Sequence, residues 1–234
     1  MAAKRPPRIR DLRRSPFPIS NTMKLYNFFR SGTSHRLRIA LNLKGLSYEQ
    51  IAVDLRKEEH LGEAYTAINP QQLVPTLDIG DTLLTQSPAI IEWLEERYPD
   101  VPLLPSGLLE RAHVRALAAI VGCDVHPINN RRILETLRHR FGADEAAINQ
   151  WCGTWIASGF DAFDALIAAK GSISDFSFGD RPTLADAYLV PQIESARRFK
   201  VELGRWPRLQ AIDAACSSLE AFKRAEPSAQ PDAA

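Results

Sequence analysis

Residues 23–45 read MKLYNFFRSGTSHRLRIALNLKG. The stretch starts as a short strand over KLYNFF, crosses a polar patch from Arg30 to His35, and continues as a helix over Ser34–Lys44. That helix carries Leu37, Ala40 and Leu41 on one face and stops at Gly45. The patch supports two readings. In one, Thr33 or Ser34 caps the helix and nothing more is implied. In the other, the free N–H groups of the helix start, helped by the hydroxyls of Ser31, Thr33 and Ser34, hold an anionic sulfur. The second has a use, because a free thiol of pKa ~8.5 is only about 3% ionised at pH 7. Lowering that pKa by ~2 units makes it mostly thiolate.

Working outward, YEQIAVDL predicts a strand with Ile51, Val53 and Leu55 at period two, followed by a polar loop containing Lys57, Glu58, Glu59 and His60. VPTLDIGDTLLT predicts two short strands around a Gly80-Asp81 turn. Ser87-Pro88 then predicts a helix start, with Ser87 at the N-cap and Pro88 at N1, and the helix ends before Pro99. The order βαβ, hairpin, helix describes a small α/β unit over residues 23–102, ending in the Pro-rich linker YPDVPLLPSG. Residues 103–225 read as helical throughout. Leu108–Arg140 is a long pattern bent by Gly122 and Pro127, and Asp144–Lys170 is a second helix. RPTLADAYLVPQIESARRF is a third and RLQAIDAACSSLEAFKR a fourth, with Thr183 and Asp186 spaced as a capping pair before the third.

Composition bounds the rest. The chain has 234 residues, is 45% hydrophobic and 24% charged, and carries a net charge of +1. Residues 1–22 hold +5 of that and the remainder −4, so the body is not a nucleic-acid binder. The first 22 residues contain four prolines and no helical or strand period, which predicts a basic, disordered extension. The final EPSAQPDAA, residues 226–234, is expected to be disordered as well. Cys123, Cys152 and Cys216 form no CxxC pair, so neither a disulfide framework nor a metal site is indicated, and a reducing, cytoplasmic setting fits. No apolar run reaches the ~20 residues that span a bilayer, so no membrane partner is expected.

SGTSHRLRIAL resembles SSCxxRVRIAL, the signature of zeta-class glutathione transferases. NPQQLVPTL followed by LTQSPAIIEWLEE is similar to the Val-Pro turn and Gln-Ser helix start of that family, and PTLADAYLVPQ to the capping motif of its core helix. The resemblance covers Met23 to about Arg224. Within the class, RSGTSHRLRIALNLKG and CDVHPINNRRILE look most like the maleylpyruvate isomerase branch, close to the maleylacetoacetate isomerases. It implies a thioredoxin-like α/β domain plus an all-α domain, glutathione as cofactor, a homodimer, and cis–trans isomerisation of a small dicarboxylate in aromatic catabolism. The pattern departs at two positions: Gly32 replaces the second Ser and Thr33 replaces the Cys. A mechanism needing that thiol cannot run here.

The resemblance assigns site residues. Arg30, Ser31, Thr33 and Ser34 are expected at the sulfur. Val74, ahead of Pro75 in a cis peptide, is expected to pair with the cysteinyl unit. Gln86 and Ser87 are expected at the γ-glutamyl carboxylate, and His60 and Gln71 at the glycyl end. A diacid needs bidentate donors, which Arg supplies better than Lys. Arg30, His126, Asn130, Arg132 and Arg198 are therefore the expected substrate set. Arg132 and Arg198 are chosen over Arg131 and Arg197 because neighbouring helical side chains diverge by about 100°. Two rival functions remain: a general glutathione transferase or peroxidase that consumes glutathione, and a non-catalytic thioredoxin-like binding protein.

Overall fold

The computed structural model describes residues 23–170 and 174–233, so the expectation for residues 1–22 lies outside it. A mixed four-stranded sheet forms from β1 (Met23–Asn27), β2 (Tyr48–Ala52), β3 (Thr76–Asp78) and β4 (Leu83–Thr85), in the order β2-β1-β3-β4. β1 and β2 are parallel, and β3 runs antiparallel to both β1 and β4. The β1–β2 crossover is α1 (Gly32–Leu43). Helix α3 (Ser87–Arg97) follows the hairpin and shares the core cluster with α1.

The polar loop after β2 contains a helix that the periodicity does not predict, α2 (Glu63–Ile68). Only Tyr65 of it is buried, which is too little for an amphipathic pattern. Tyr65 joins Phe28, Val53 and Val74 in a small second core, and its hydroxyl donates to Leu73 O at 2.7 Å.

The remaining chain is helical. α4 (Leu108–Ala119) runs into a π-helical turn at Ile120–Val125 and a 3-10 turn at His126–Ile128, so the pattern breaks where Gly122 and Pro127 stand. α5 (Arg131–Phe141), α6 (Glu145–Ala168) and α7 (Leu184–Arg198) follow. The expected fourth helix is two, α8 (Pro207–Ser217) and α9 (Glu220–Lys223). Asp186 opens α7: its carboxylate accepts from Thr183 N, Thr183 Oγ1 and Ser177 N at 2.7, 3.0 and 2.7 Å. Glycine is needed at 122, where a Cβ would lie 2.8 Å from Cε1 of Tyr188 on α7.

Over residues 226–233 the expectation of disorder is not met. Residues 227–229 and 231–233 form 3-10 turns, Gln230 is buried, and Asp232 Oδ2 accepts from Phe29 N at 2.9 Å. The composition is polar and Pro-rich, but tertiary partners supply what local propensity does not.

A buried ion pair between the end of α1 and α3 holds the linker. Lys44 Nζ donates to Glu95 Oε2 at 2.8 Å and to the carbonyls of Tyr98 and Val101, both at 2.9 Å. Glu95 in turn accepts from Leu103 N and Leu104 N at 2.9 and 3.1 Å, fixing the linker that leads to α4. We predict that Glu95→Ala destabilises the chain by about 3–5 kcal/mol in chemical denaturation, because it strands a buried ammonium. Replacing both partners together, with Lys44→Met and Glu95→Leu, should recover part of that loss. Equal losses for the single and double variants would count against the pair as the cause.

Candidate active site

A cleft of about 810 Å³ lies between the sheet unit and the helices. The β1–α1 loop, the 71–75 turn and the start of α3 form one wall. The π-turn, the head of α5 and one stripe of α7 form the other. Tyr188, Pro191, Gln192, Ser195, Arg198 and Phe199 make that stripe, at helical spacing.

The α1 end of the cleft is built from hydroxyls. Ser31 caps the helix, its Oγ accepting from Ser34 N at 3.3 Å, so the helix starts two residues earlier than its apolar face suggests. Ser31 Oγ and Thr33 Oγ1 lie 2.8 Å apart, and Thr33 Oγ1 donates to Val74 O at 2.9 Å. With the Thr33 proton on Val74, the proton between the hydroxyls comes from Ser31. Ser34 is fully buried, faces the core and sits 3.5 Å from Phe28 N. It does not reach the cleft, which corrects its expected place at the sulfur. The physical reason is helix phase: with Ser31 as cap, residue 34 falls on the inner side of the first turn.

The opposite end of this wall suits a peptide ligand. Val74 is buried and its bond to Pro75 is cis. Gln86, not Ser87, occupies the N-cap of α3, with left-handed φ 66°, a region costly for a non-glycine residue. Its Nε2 donates to Gln71 Oε1 at 2.7 Å. Ser87 sits in the first turn, buried, with Oγ unpartnered. His60 Nδ1 also lacks a partner, and burial, then Arg131, lowers the His60 pKa. These donors fit glutathione: an unfilled hydroxyl at a helix start for one carboxylate, a basic residue with an open nitrogen for the other, and hydroxyls for the sulfur.

Both walls of the cleft are cationic. Among the described residues, Arg30, Arg36, Arg131, Arg132 and Arg198 make no ion pair, whereas Arg138 pairs with Glu135 and Glu145, and Arg197 with Glu194 and Asp213. Arg198 turns to the cleft and donates to Arg30 O at 3.5 Å, while Arg197 turns away. Arg131 and Arg132 both line the cleft, so the one-inward rule fails at the head of α5, where a helix end exposes two successive residues. His126 stands between the walls, its ring 3.7 Å from where a Cβ on Gly32 would lie. Burial, then Arg36 and Arg198, lowers its pKa to about 3, so it is neutral at physiological pH.

Asn130 lines the cleft, but its amide is committed: it caps Ile133 N at 3.3 Å and donates to Pro127 O at 2.7 Å. Residues not anticipated from sequence are Asn129, Arg36, Tyr188, His35 and Gln192. Asn129 is buried with both amide atoms unpartnered, and the Arg36 guanidinium lies 4.2 Å over the Tyr188 ring. Among the described residues, seven of the eleven unpartnered buried polar atoms belong to the cleft, which marks it as a place for ligand or water rather than a packing fault. Helical periodicity does not distinguish Arg36 from a solvated arginine, but Arg36 stands at a fixed Arg of the signature SSCxxRVRIAL, a signal that could have found it.

Comparison with known proteins agrees with this geometry. The family model for the glutathione S-transferase N-terminal domain matches residues 25–102, and that for the C-terminal domain matches residues 145–215. The chain is 69% identical over 212 residues to a maleylpyruvate isomerase of Ralstonia sp, spanning 91% of this chain and all of the relative. It superposes with TM-score 0.89 on the holo structure of a maleylpyruvate isomerase, a bacterial zeta-class glutathione S-transferase, at 69% identity over 90% of this chain and all of that one. It also superposes with TM-score 0.81 and 42% identity on a maleylacetoacetate isomerase of Anaeromyxobacter dehalogenans solved with dicarboxyethyl glutathione and citrate, covering 91% and 94% of the two chains.

The hydroxyl geometry yields a test. Thr33→Val, which removes the hydroxyl shared by Ser31 and Val74, should raise the thiol pKa of bound glutathione by about one unit, read from thiolate absorbance against pH. Ser34→Ala should leave that titration in place and change only stability. A shift with Ser34→Ala and none with Thr33→Val would reverse the assignment.

Proposed function

The chain belongs to the glutathione S-transferase family, and on that premise we propose that it is a glutathione-dependent isomerase that converts cis maleylpyruvate to its trans isomer. The observation that carries the reading is the set of arginines without carboxylate partners that share one cleft with the Ser31–Thr33 hydroxyls. An apolar electrophile gains nothing from such a set, whereas a dianion gains charge-assisted, bidentate contacts.

Bound glutathione supplies a thiolate that adds reversibly to the activated double bond, allows rotation about the resulting single bond, and is returned unchanged. The protein's part is electrostatic. The first N–H groups of α1 favour the thiolate over the thiol, and so do the hydroxyls of Ser31 and Thr33 when their protons turn to the sulfur from Thr33 Oγ1 and Val74 O, on which they otherwise rest. Val74 O, Ser87 Oγ, Gln86, Gln71 and His60 hold the peptide ends. Arg30, Arg132 and Arg198 bind the substrate carboxylates, and Arg36 and Arg131 add positive charge where negative charge develops on the carbonyl oxygen. His126 is neutral and serves as a hydrogen-bonding wall rather than a cation.

The reading predicts turnover without loss of glutathione, checked by following the ultraviolet change of maleylpyruvate beside a thiol count. Arg30→Met, Arg132→Met and Arg198→Met should each lower kcat/KM by one to three powers of ten, roughly 1.5–4 kcal/mol, with little change in glutathione affinity. Stoichiometric thiol loss would favour a glutathione-consuming transferase instead.

We further propose that the chain works as a homodimer in the cytoplasm, where glutathione keeps its three free cysteines reduced. No described helix is long and apolar enough to cross a membrane. Leu108 and Leu109 are 84% exposed, and Leu83 on the edge strand β4 and Val101 in the linker are also exposed. Apolar groups so placed suit a self-complementary interface. Sedimentation should show a two-chain particle, and Leu108→Glu with Leu109→Glu should reduce it to one chain. A single-chain particle before substitution would dispose of the dimer.

A further inference from the structure

Phe29 precedes Arg30, and both of its backbone groups are held from elsewhere in the fold. Its N–H donates to Asp232 Oδ2 at 2.9 Å, and its carbonyl accepts from Arg38 Nη2 at 2.8 Å. Arg38 is fully buried in the middle of α1 and spends its other donors on Asn27 Oδ1 at 2.8 Å and Ala225 O at 3.0 Å. One guanidinium thus ties together the end of β1, the loop carrying Arg30, and the residue from which the C-terminal segment departs. Burial pulls the Arg38 pKa down to about 10, and the charge of Asp232 is among those opposing that. Gln230 keeps the segment folded back, its Nε2 donating to the carbonyls of Arg224 and Glu226 at 2.9 and 2.6 Å. Pro227 reaches the cleft wall itself.

We propose that residues 226–233 are a strap that sets the position of Arg30, with Asp232 as the positioning residue. The inference rests on the reading of Arg30 as a carboxylate-binding group. The loop has few other anchors. Ser31 N donates to Phe28 O at 3.0 Å, which closes the turn around Arg30 but does not fix it against the helical wall. The Arg198 contact at Arg30 O, at 3.5 Å, is long. Without Asp232 the Phe29 peptide keeps only its carbonyl contact and is free to rotate about it. Arg30 would then swing relative to Arg198, and the two would no longer present a fixed pair to a diacid. Glutathione, held by Val74 and the start of α3, depends on other elements and should be indifferent.

The experiment uses the full chain with glutathione bound. Hydrogen exchange at the Phe29 amide should rise at least about tenfold in Asp232→Ala, because its hydrogen-bond acceptor is lost. Asp232→Asn keeps an acceptor oxygen and should stay protected. In parallel, kcat/KM for maleylpyruvate should fall about tenfold or more in Asp232→Ala, as expected for a misplaced binding group, with glutathione affinity held and Asp232→Asn near the native value. In an Arg30→Met background, Asp232→Ala should add nothing further. Unchanged Phe29 exchange overturns the strap whatever the kinetics. So does an equal loss in the native and Arg30→Met backgrounds, which would mean a general structural effect. A damaging Arg30→Met beside a harmless Asp232→Ala removes the strap alone. A harmless Arg30→Met removes the carboxylate reading of Arg30 and, with it, the positioning role. If Asp232→Ala is too unstable to assay, termination after Glu226 in place of the point change must give the same exchange and kinetic pattern or the proposal fails.

Discussion

Helix α1 has almost no surface of its own: every residue from Ser34 to Leu41 is buried, with the sheet and α3 on one side and α7 on the other. Leu37, Ile39 and Leu41 each contribute about 1.5–3 kcal/mol by leaving water. The same burial makes an unpartnered polar side chain in the helix costly, and several find tertiary partners. Arg38 finds the β1 end and the C-terminal segment, and Arg36 finds the face of Tyr188. Ser34 lies against Phe28 N, and Lys44, beyond the last turn, finds Glu95. The orientation of α1 is therefore determined by contacts spread over the whole chain, and its N-terminus is delivered to the cleft floor in one geometry.

Much of the cleft's chemistry follows from what α1 and α7 leave unsatisfied between them. Buried polar atoms cost free energy unless paired, yet His35 Nε2, Arg36 Nε and Gln192 Nε2 are left open beside one cavity. The arginines along it form no ion pair with Glu135, Glu145 or Glu194, which are taken by Arg138 and Arg197. Arg198 has its pKa lowered, first by burial and then by Arg30, with Glu194 opposing. Such an arrangement is stable only because the rest of the molecule over-determines it, and an anion with two carboxylates relieves it.

The substitutions at Gly32 and Thr33 fit this frame. A glycine at 32 keeps the helix start open beside the His126 ring, and Thr33 supplies a hydroxyl, with its proton resting on Val74 O, where the related signature has a thiol. The chemistry then depends on hydrogen bonds and the helix terminus rather than on a second sulfur. The π-turn before His126 has a comparable role: it lets Gly122 lie against Tyr188 and so keeps the ring over Arg36.

Local sequence by itself determined the strands, the larger helices and the family, because their information is local. The alternation in YEQIAV, the Gly45 stop, the Thr183–Asp186 capping pair and the QSP helix start each act within a few residues. The same locality made the cleft positions of Thr33, Val74, Ser87 and Arg198 legible through short motifs. Only the tertiary structure decided which member of each cluster is free. Ser34 was lost to the core by one step of helix phase, Asn130 to its own cap, and Arg197 to Asp213. Arg36 and Asn129 joined the cleft through contacts or openings with no sequence period. Residues 226–233 look unstructured on composition and are held by Arg38 and Phe29, about 190–200 positions earlier in the chain. A hydrogen bond over that separation leaves no trace in local propensity, since the entropy of closing so long a loop is met only when the whole fold has formed.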